Sequence, residues 1–322
     1  MKEDVVVGHD EFSKKLAKKL EAKYINVNLH VFPDNEIKPT LEIRSIKEIE
    51  GKDILLVSRT NRFNPRPNDA IIELGLTAKN LKIKGARKID VLMPYMFYAR
   101  QDESFRRGEP ESFSYITDLY QNWINDEGIL LDGGIVKNLI TLNSHLYGKT
   151  IGIDYFFSNK INIHDLSSSK LFADHFRSKE LKDPVIITPG AKEIASELSD
   201  QLNIPYENLK KKRNHKTGRI TMEPPKTNLK DRDAIIFDDM TATGNTILEA
   251  YGLACKTDAL GKYIALPHLM ARKGIDSLCD LVELGIYEVV TTDSFDNGSW
   301  YNKGSLTELS TVPLFSEYIK KL

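Results

Sequence analysis

IIFDDMTATGNT, from Ile235 to Thr246, joins an apolar segment to two adjacent carboxylates, a turn of threonine and glycine, and the start of a helix. The apolar residues Ala234–Phe237 predict a strand that is buried on both faces, as in a parallel sheet. The apolar spacing after Asn245 predicts a helix. The turn therefore lies between the carboxyl end of a strand and the amino end of a helix, where backbone amides and the helix dipole favour a bound phosphate.

The two carboxylates and the turn suit opposite ends of one ribose phosphate. Asp238 and Asp239 can accept hydrogen bonds from vicinal sugar hydroxyls, and they would repel a phosphate unless it lay on the amide side. A simpler alternative is an acidic strand end before an N-capped helix, but it does not require the whole string. The segment resembles the signature of the type I phosphoribosyltransferase fold. The candidates for binding the phosphate are the residues of the turn: Thr241, Thr243, Gly244, Asn245 and Thr246.

Length and composition exclude several classes of protein. The chain has 322 residues, of which 41% are hydrophobic, and it is long enough for two domains of ordinary size. Its 45 basic and 46 acidic residues balance, so charge favours neither nucleic acid nor an anionic membrane as a partner. Two cysteines give no disulfide framework, and no apolar run reaches membrane-spanning length. Together with a polar, acidic start, these features predict a cytoplasmic protein.

Strand-like and helix-like segments alternate along the chain, which predicts an α/β fold of mainly parallel sheets flanked by helices. The pattern pauses at the polar stretch Ser158–Ser169 and then starts again. The predicted strands are Val5–Gly8, Ile25–Phe32, Ile54–Ser58, Ile89–Met93, Leu139–Leu142, Val185–Thr188, Ala234–Phe237, Tyr263–Leu266 and Val289–Thr292. The predicted helices are Asp10–Lys19, Asn68–Leu81, Ser112–Trp123, Ser167–Phe176, Lys192–Leu202, Asn245–Lys256 and Ile275–Leu284.

Two segments of the first half carry candidate ligand-binding side chains. In Phe32–Glu36 the carboxylates of Asp34 and Glu36 would face one side of an extended segment, although Pro-Asp-Asn is also a strong turn sequence. Tyr95–Asp102 follows a predicted strand, where open α/β sheets bind ligands. An Arg there can hold a polyphosphate and a Gln can bind a purine edge.

Seven segments of the chain, named at the end of this paragraph in chain order, resemble segments of ribose-phosphate pyrophosphokinases, also called phosphoribosyl pyrophosphate synthetases. Taken alone, Lys210–Arg213 would be a solvated basic turn, and an isolated histidine is more often structural. The matching segments are Phe32-x-Asp34-x-Glu36, Asn68-Asp69 with Glu73-Leu74, Pro94-Tyr95 with Tyr98–Asp102, His145, Lys211-x-Arg213, Asp238–Thr246, and Val312-Pro313-Leu314 before a last helix.

The resemblance implies two tandem phosphoribosyltransferase-like domains with the active site between them. Residues 1–155 would hold the ATP site and residues 156–322 the ribose phosphate site, with the last helix packing back on the first domain. The implied reaction is the Mg²⁺-dependent transfer of the pyrophosphoryl group of ATP to the anomeric hydroxyl of a ribose 5-phosphate moiety, which releases AMP.

The resemblance also implies a role for each matching residue. ATP would be bound by Arg100, Gln101 and Asp102, and its adenine would be contacted from a neighbouring subunit by Phe32, Asp34 and Glu36. A homo-oligomer, from dimer to hexamer, is therefore expected. His145 would lie at the Mg²⁺ site, and the catalytic pair would be Lys211 and Arg213.

The chain departs from the family in three places. Asn143-Ser144-His145 stands where the family has Asp-Leu-His, which removes a carboxylate near the metal. Thr188–Lys192 stands where the family has Ser-Pro-Asp-x-Gly-Gly, and it lacks that Asp. The loop after Asp102 begins with Glu103-Ser104, and Asn125–Asn138 is longer than usual. Because Mg²⁺ keeps several waters, fewer protein ligands suffice if substrate phosphates contribute.

Besides pyrophosphoryl transfer to ribose 5-phosphate, three alternatives remain open: a different acceptor, a non-catalytic homologue and a phosphoribosyltransferase. The shortened Thr188–Lys192 segment and Asn245 favour ADP-ribose, which also presents an anomeric hydroxyl and would give ADP-ribose pyrophosphate, a step of NAD salvage. The missing Asp favours a non-catalytic regulatory homologue, whereas the retained basic and acidic residues oppose it. A phosphoribosyltransferase is disfavoured because it would have no use for ATP-binding segments.

Overall fold

The computed structural model describes residues 3–60, 66–104, 106–125, 136–157, 161–213, 220–270, 285–296 and 306–322. For residues 122–125, 211–213 and 220 it describes the backbone only. The chain divides into two compact units, Met1–Leu166 with Thr311–Leu322, and Ser167–Ser310. Each unit is built on a sheet of mainly parallel strands with helices beside it, so the predicted α/β fold class is confirmed.

The first unit contains a sheet of seven strands in the order β3-β2-β1-β4-β5-β6-β7. All neighbours are parallel except β2 and β3, which form an antiparallel hairpin. The strands are β1 Val5–Gly8, β2 Lys23–Val31, β3 Ile37–Leu41, β4 Asp53–Val57, β5 Lys88–Met93, β6 Val136–Leu142 and β7 Asn162–Leu166. The helices are α1 Glu11–Leu20, α2 Pro67–Ile83 and α3 Ser112–Asn125, with short 3₁₀ turns at Ile46–Glu48 and Ile153–Phe156.

The second unit contains a parallel sheet of six strands in the order β17-β16-β14-β12-β8-β9. An antiparallel pair, β10–β11, and a short parallel pair, β13–β15, stand apart from it. The strands are β8 Val185–Thr188, β9 Tyr206–Asn208, β10 Lys211–Arg213, β11 Ile220–Met222, β12 Ala234–Phe237, β13 Met240–Thr241, β14 Lys262–Leu266, β15 His268–Leu269, β16 Glu288–Thr292 and β17 Leu306–Leu309. The helices are α4 Ser169–Arg177, α5 Lys192–Leu202 and α6 Asn245–Lys256.

The last helix, α7 at Val312–Lys321, belongs to the first unit. It begins with Pro313 in its first turn, where a missing N–H costs nothing. Its apolar face packs on α1, and the rings of Phe315 and Phe12 meet edge to face with centroids 6.3 Å apart. The chain therefore returns to its first sheet after completing the second.

The boundary between the units lies later than the predicted division after residue 155. β7 pairs with β6 along its whole length, from Asn138↔Asn162 to Leu142↔Leu166, so these residues complete the first sheet. The strand is polar and only partly buried, which explains why the sequence pattern suggested a pause there. The helix predicted at Ile275–Leu284 lies outside the described residues. None of the helices in the described ranges is both long enough and apolar enough to cross a lipid bilayer.

Candidate active site

The loop between β12 and α6 forms an uncapped helix N-terminus. Gly244 is the N-cap residue, with a left-handed φ of 81°, and it has no side chain with which to cap the helix. Its N–H donates to Thr241 Oγ1 at 2.9 Å, and its carbonyl accepts the N–H of Leu248 at 2.9 Å. The first-turn amides therefore remain for an anion, which the helix dipole also favours.

The loop is held in place by a ladder with the end of the next strand. Met240↔His268 and Thr241↔Leu269 pair in parallel. The N–H of His268 donates to the carbonyl of Asp239 at 3.2 Å, and the His268 ring is buried, with Nδ1 2.8 Å from Ser294 Oγ. His268 is not among the predicted site residues, because its only signal in the sequence is its place just after an apolar strand and Pro267.

The two acids of the loop differ in exposure. Asp238 is 6% exposed, and its carboxylate accepts the N–H of Asp239 at 3.2 Å. Asp239 is partly buried and is the more accessible of the two. The two carboxylates therefore directly precede the turn that leads into α6, where they can accept hydrogen bonds from hydroxyl groups.

A second loop, Thr188–Lys192, follows β8, the strand beside β12 in the sheet. Thr188 Oγ1 accepts the N–H of Gly190 at 3.3 Å and that of Ala191 at 2.9 Å, so the loop closes on its own hydroxyl. α5 follows directly, with no side chain capping it. The loop therefore brings backbone but no carboxylate to the sheet edge.

The backbone of the predicted catalytic pair lies in β10. Lys211 pairs with Met222 and Arg213 with Ile220 across the β10–β11 ladder. The N–H of Met222 donates to Glu249 Oε1 at 2.8 Å, so the hairpin is tied to α6, the helix that follows the Asp238–Thr246 loop. The side chains of Lys211 and Arg213, and residues 214–219 of the basic stretch, lie outside the described part of the chain.

In the first unit, the segment Pro94–Asp102 follows β5 and is fixed by its backbone. Tyr98 has a left-handed φ of 65°, and its carbonyl accepts the N–H of Gln101 at 2.8 Å. Its hydroxyl donates to Asn68 Oδ1 at the start of α2, at 2.7 Å. The N–H of Phe113 in α3 donates to the carbonyl of Gln101 at 3.0 Å. The predicted ATP-binding side chains here are exposed or partly buried: Arg100, Gln101 and Asp102.

His145 follows β6, the next strand, so it lies at the same sheet edge as the Pro94–Asp102 segment. Its neighbour Ser144 donates its N–H to Asp165 Oδ1 at 3.0 Å and its hydroxyl to Oδ2 at 2.5 Å. Burial raises the pKa of Asp165 to about 6, although the hydrogen bonds from Ser144 oppose this shift. Asp165 was missed from the sequence because it lies in a strand that had not been predicted.

The Phe32–Glu36 segment is a turn at the tip of the β2–β3 hairpin, so of the two alternatives the structure has the Pro-Asp-Asn turn and not the extended segment. The N–H of Asn35 donates to the carbonyl of Phe32 at 2.9 Å, and Asn35 has a left-handed φ of 69°. Asp34 Oδ1 accepts the N–H of Glu36 at 3.1 Å, as a Pro-Asp-Asn turn favours. Three steps in the sheet order separate β2 from β5, which is about 14 Å at the usual strand spacing. Within one subunit, the order of the strands therefore does not place the hairpin tip beside the Pro94–Asp102 segment.

Comparison with known proteins agrees with this architecture. Residues 5–123 match the family profile described as the N-terminal domain of ribose phosphate pyrophosphokinase, and residues 162–258 match the phosphoribosyl transferase domain. The ribose-phosphate pyrophosphokinase of Saccharolobus solfataricus is 30% identical over 289 residues, which are 87% of this chain and 88% of that protein. The chain belongs to the ribose-phosphate pyrophosphokinase family.

Other members of the ribose-phosphate pyrophosphokinase family align over nearly the whole chain. That of Helicobacter pylori strain 26695 is 29% identical over 98% of this chain and 91% of its own length. The crystal structure of phosphoribosylpyrophosphate synthetase from Mycobacterium smegmatis superimposes with a TM-score of 0.79 at 22% identity, covering 98% of both chains. The chain therefore shares its fold with that synthetase, and its family is one of pyrophosphate-transferring enzymes.

The described residues hold no preformed cage for a metal ion in this family member. Within the described ranges no group of three or more His, Cys, Asp and Glu side chains converges. Mg²⁺ does not require such a group, because it binds through one or two protein groups, substrate phosphates and its own waters.

Proposed function

We propose that the chain transfers the pyrophosphoryl group of ATP to the anomeric 1-hydroxyl of ribose 5-phosphate and releases AMP. The observation that carries this proposal is the uncapped N-terminus of α6, with two acids beside it and the β10 strand tied to the same helix through Glu249. This arrangement suits a sugar phosphate, because the first-turn amides and the helix dipole favour the phosphate while the carboxylates accept hydrogen bonds from the sugar hydroxyls.

The acceptor would be held at both ends. The amides of Asn245 and Thr246 would bind the 5-phosphate, with the hydroxyls of Thr241 and Thr243 close by. Carboxylates would accept hydrogen bonds from the 2- and 3-hydroxyls. The anomeric hydroxyl would then remain free to attack, and the acids in this role are Asp238 and Asp239.

The attack places negative charge on the phosphoryl oxygens of ATP. Lys211 and Arg213 would neutralise it as it develops, because fixed cations stabilise such a transition state without reorganising at the moment of reaction. Their strand is anchored to α6 by the Met222–Glu249 hydrogen bond, which keeps it near the phosphate-binding loop.

ATP would bind to the first unit. Arg100 can hold its phosphates and Gln101 its purine edge, and both side chains are exposed. Phe32, which is 37% exposed, would stack on the adenine of a neighbouring subunit, with Asp34 and Glu36 forming hydrogen bonds. The hairpin supports this role because its residues extend beyond the last β1–β2 pair, Gly8↔Asn26. We therefore propose a homo-oligomer with shared ATP sites.

Mg²⁺ would be held by phosphates of ATP together with His145. When bound, the ion supplies charge neutralisation at the transferred group. The carboxylate missing from position 143 is compatible with this assignment because Mg²⁺ takes few protein ligands.

ADP-ribose is a second candidate acceptor. The observation that favours it is the Thr188–Lys192 loop, which closes on the Thr188 hydroxyl and brings no carboxylate to the sugar site. An acceptor whose phosphate carries a substituent would contact fewer side-chain atoms at the Thr188–Lys192 loop than at a loop that contains an acid.

An acceptor panel tests the proposal. Purified protein with ATP and Mg²⁺ receives ribose 5-phosphate, ADP-ribose or no acceptor, and AMP and the sugar product are quantified by mass spectrometry. We expect AMP and phosphoribosyl pyrophosphate in equal amounts, and a loss of about 10- to 100-fold in kcat/KM for Asp239→Asn. Asp174→Asn, in an exposed ion pair on α4, is the matched control. If only ADP-ribose is turned over, the acceptor is ADP-ribose and not ribose 5-phosphate. If no AMP forms with any acceptor, the result would indicate a regulatory homologue.

A further inference from the structure

One carboxylate fixes the backbone on both sides of His145. Asp165 accepts the N–H of Ser144 at 3.0 Å through Oδ1 and its hydroxyl at 2.5 Å through Oδ2. Ser144 Oγ in turn accepts the N–H of Leu146 at 3.3 Å. The residues before and after His145 are therefore tied, directly or through one hydroxyl, to Asp165.

This contact lies beyond the regular pairing of the two strands. The β6–β7 ladder ends at Leu142↔Leu166, and the N–H of Asn143 donates to the carbonyl of Leu166 at 2.8 Å. The Asp165 side chain then continues the connection where the backbone ladder stops. Because Ser144 is only 3% exposed, water competes weakly for these hydrogen bonds, and a charged acceptor strengthens them.

We infer that Asp165 is a positioning residue for the divalent cation of the reaction, acting through Ser144 on the orientation of His145. The inference rests on the proposed pyrophosphokinase activity and its Mg²⁺ site. Both carboxylate oxygens are engaged by Ser144, so Asp165 acts behind the metal ligand and not as a ligand itself. Carboxylates in such outer positions orient the ligands of a metal, and their loss weakens metal affinity by about 10- to 100-fold.

The carboxylate at this sheet edge comes from the strand beside β6, where Asp165 meets a serine at position 144, while position 143 carries an uncharged amide. A role confined to holding the loop would instead lower thermal stability without a selective effect on the metal.

Metal titrations of three variants test this inference. Asp165→Asn removes the charge, Ser144→Ala removes the hydroxyl and keeps the charge, and Asp174→Asn on the surface of α4 is the control. For each variant we measure the Mg²⁺ concentration that gives half-maximal AMP formation, kcat at saturating Mg²⁺, and thermal melting without metal. Binding of Mn²⁺ to the protein with ATP, followed by electron paramagnetic resonance, gives a readout that does not depend on turnover.

We expect the Mg²⁺ concentration for half-maximal AMP formation to rise about 10-fold in Asp165→Asn and about 3-fold or more in Ser144→Ala. In both variants kcat at saturating Mg²⁺ should stay within about 3-fold of the wild-type value. Mn²⁺ affinity should fall in parallel, and the control should match wild type. Metal constants within twofold of wild type in both variants would overturn the inference, as would a fall in kcat or melting temperature without a metal effect. If the wild type makes no AMP, the proposed activity fails, and the Mn²⁺ titration alone tests the role of Asp165. A wild type that binds no Mn²⁺ with ATP also overturns the inference.

Discussion

Gly244 holds a φ of 81° at the N-cap of α6, a conformation that costs an L-residue with a side chain about 1 kcal/mol or more. Gly244→Ala should destabilise the protein by about 1–2 kcal/mol and raise the KM of the acceptor more than that of ATP, because the phosphate cradle is distorted. Chemical denaturation and steady-state kinetics measure these effects.

Gly252 in the same helix provides the matched control. A Cβ added there meets nothing within 4 Å, and the residue is helical. Gly252→Ala should therefore stabilise the protein by about 0.5–1 kcal/mol and leave the KM of the acceptor unchanged. Equal effects of the two substitutions on acceptor KM would contradict a phosphate site at Gly244.

Glu3 gives a pH dependence whose sign can be worked out. Burial at 4% exposure, with Asp90 close by, raises the pKa of Glu3 to about 7, although Lys88 opposes the shift. Because the pKa in the folded state is raised, the stabilisation is complete below the ordinary value of 4.5 and is lost as the pH rises through about 7.

Glu3→Gln should remove the loss of stability that the wild type shows as the pH rises. At pH 5 the variant and the wild type should melt within about 1 °C of each other, whereas at pH 8 the variant should melt about 2–6 °C higher. Glu180→Gln, an exposed carboxylate after α4, is the control and should follow the wild type. Melting curves that run in parallel from pH 5 to pH 8 for all three proteins would contradict this assignment.

At the scale of elements, a hydrogen bond from Met222 in β11 to Glu249 ties the β10–β11 hairpin to α6. Glu249→Ala removes the acceptor of the Met222 N–H, whereas Glu249→Gln keeps an acceptor oxygen in the same place. We expect Glu249→Ala to lower kcat about 10-fold with a small change in the KM of ATP, because the strand of Lys211 and Arg213 is held less firmly. Glu249→Gln should retain most of the activity, and a kcat for Glu249→Ala within twofold of wild type would show that the anchor does not matter.

Elements with a strong apolar pattern were predictable, and polar or interrupted ones were not. Buried strands such as Ala234–Phe237 and amphipathic helices such as Lys192–Leu202 have the predicted bounds. β3 was missed because it contains Pro39 and has a single buried residue, Leu41, and β7 because none of its residues is fully buried. β17 was missed for a similar reason, since all its residues are partly buried or exposed.

Local motifs of the candidate site could be predicted, whereas contacts between distant segments could not. The loop Asp238–Thr246 carries its whole pattern in consecutive residues, so the strand, turn and helix around it follow from the sequence. The Ser144–Asp165 contact depends on pairing between β6 and an unpredicted strand, and the Met222–Glu249 contact depends on how a hairpin folds onto a helix. Neither has a signal in residue spacing.

At the scale of the whole molecule, a shared ATP site predicts complementation between inactive subunits. Phe32→Ala removes the hairpin ring and Arg100→Ala the phosphate-binding group, so each variant alone should have less than about a tenth of wild-type activity. In mixed oligomers, about a quarter of the sites would receive an intact Phe32 from one subunit and an intact Arg100 from another, if the subunits exchange at random.

The measurement is the AMP-forming activity after the two variants are unfolded and refolded together, compared with each refolded alone. Two different substitutions of Arg100 mixed with each other serve as the control and should restore nothing. Activity in the mixture equal to the mean of the separate variants would contradict a site shared between subunits.

The most direct test of the account follows a label on the γ-phosphate of ATP through one turnover with ribose 5-phosphate and Mg²⁺. Transfer of the intact pyrophosphoryl group predicts that all transferred label lies on the sugar product and that one unlabelled AMP is released for each labelled sugar, without ADP. Formation of ADP with a singly phosphorylated sugar, or release of the label as inorganic phosphate, would contradict the proposed reaction.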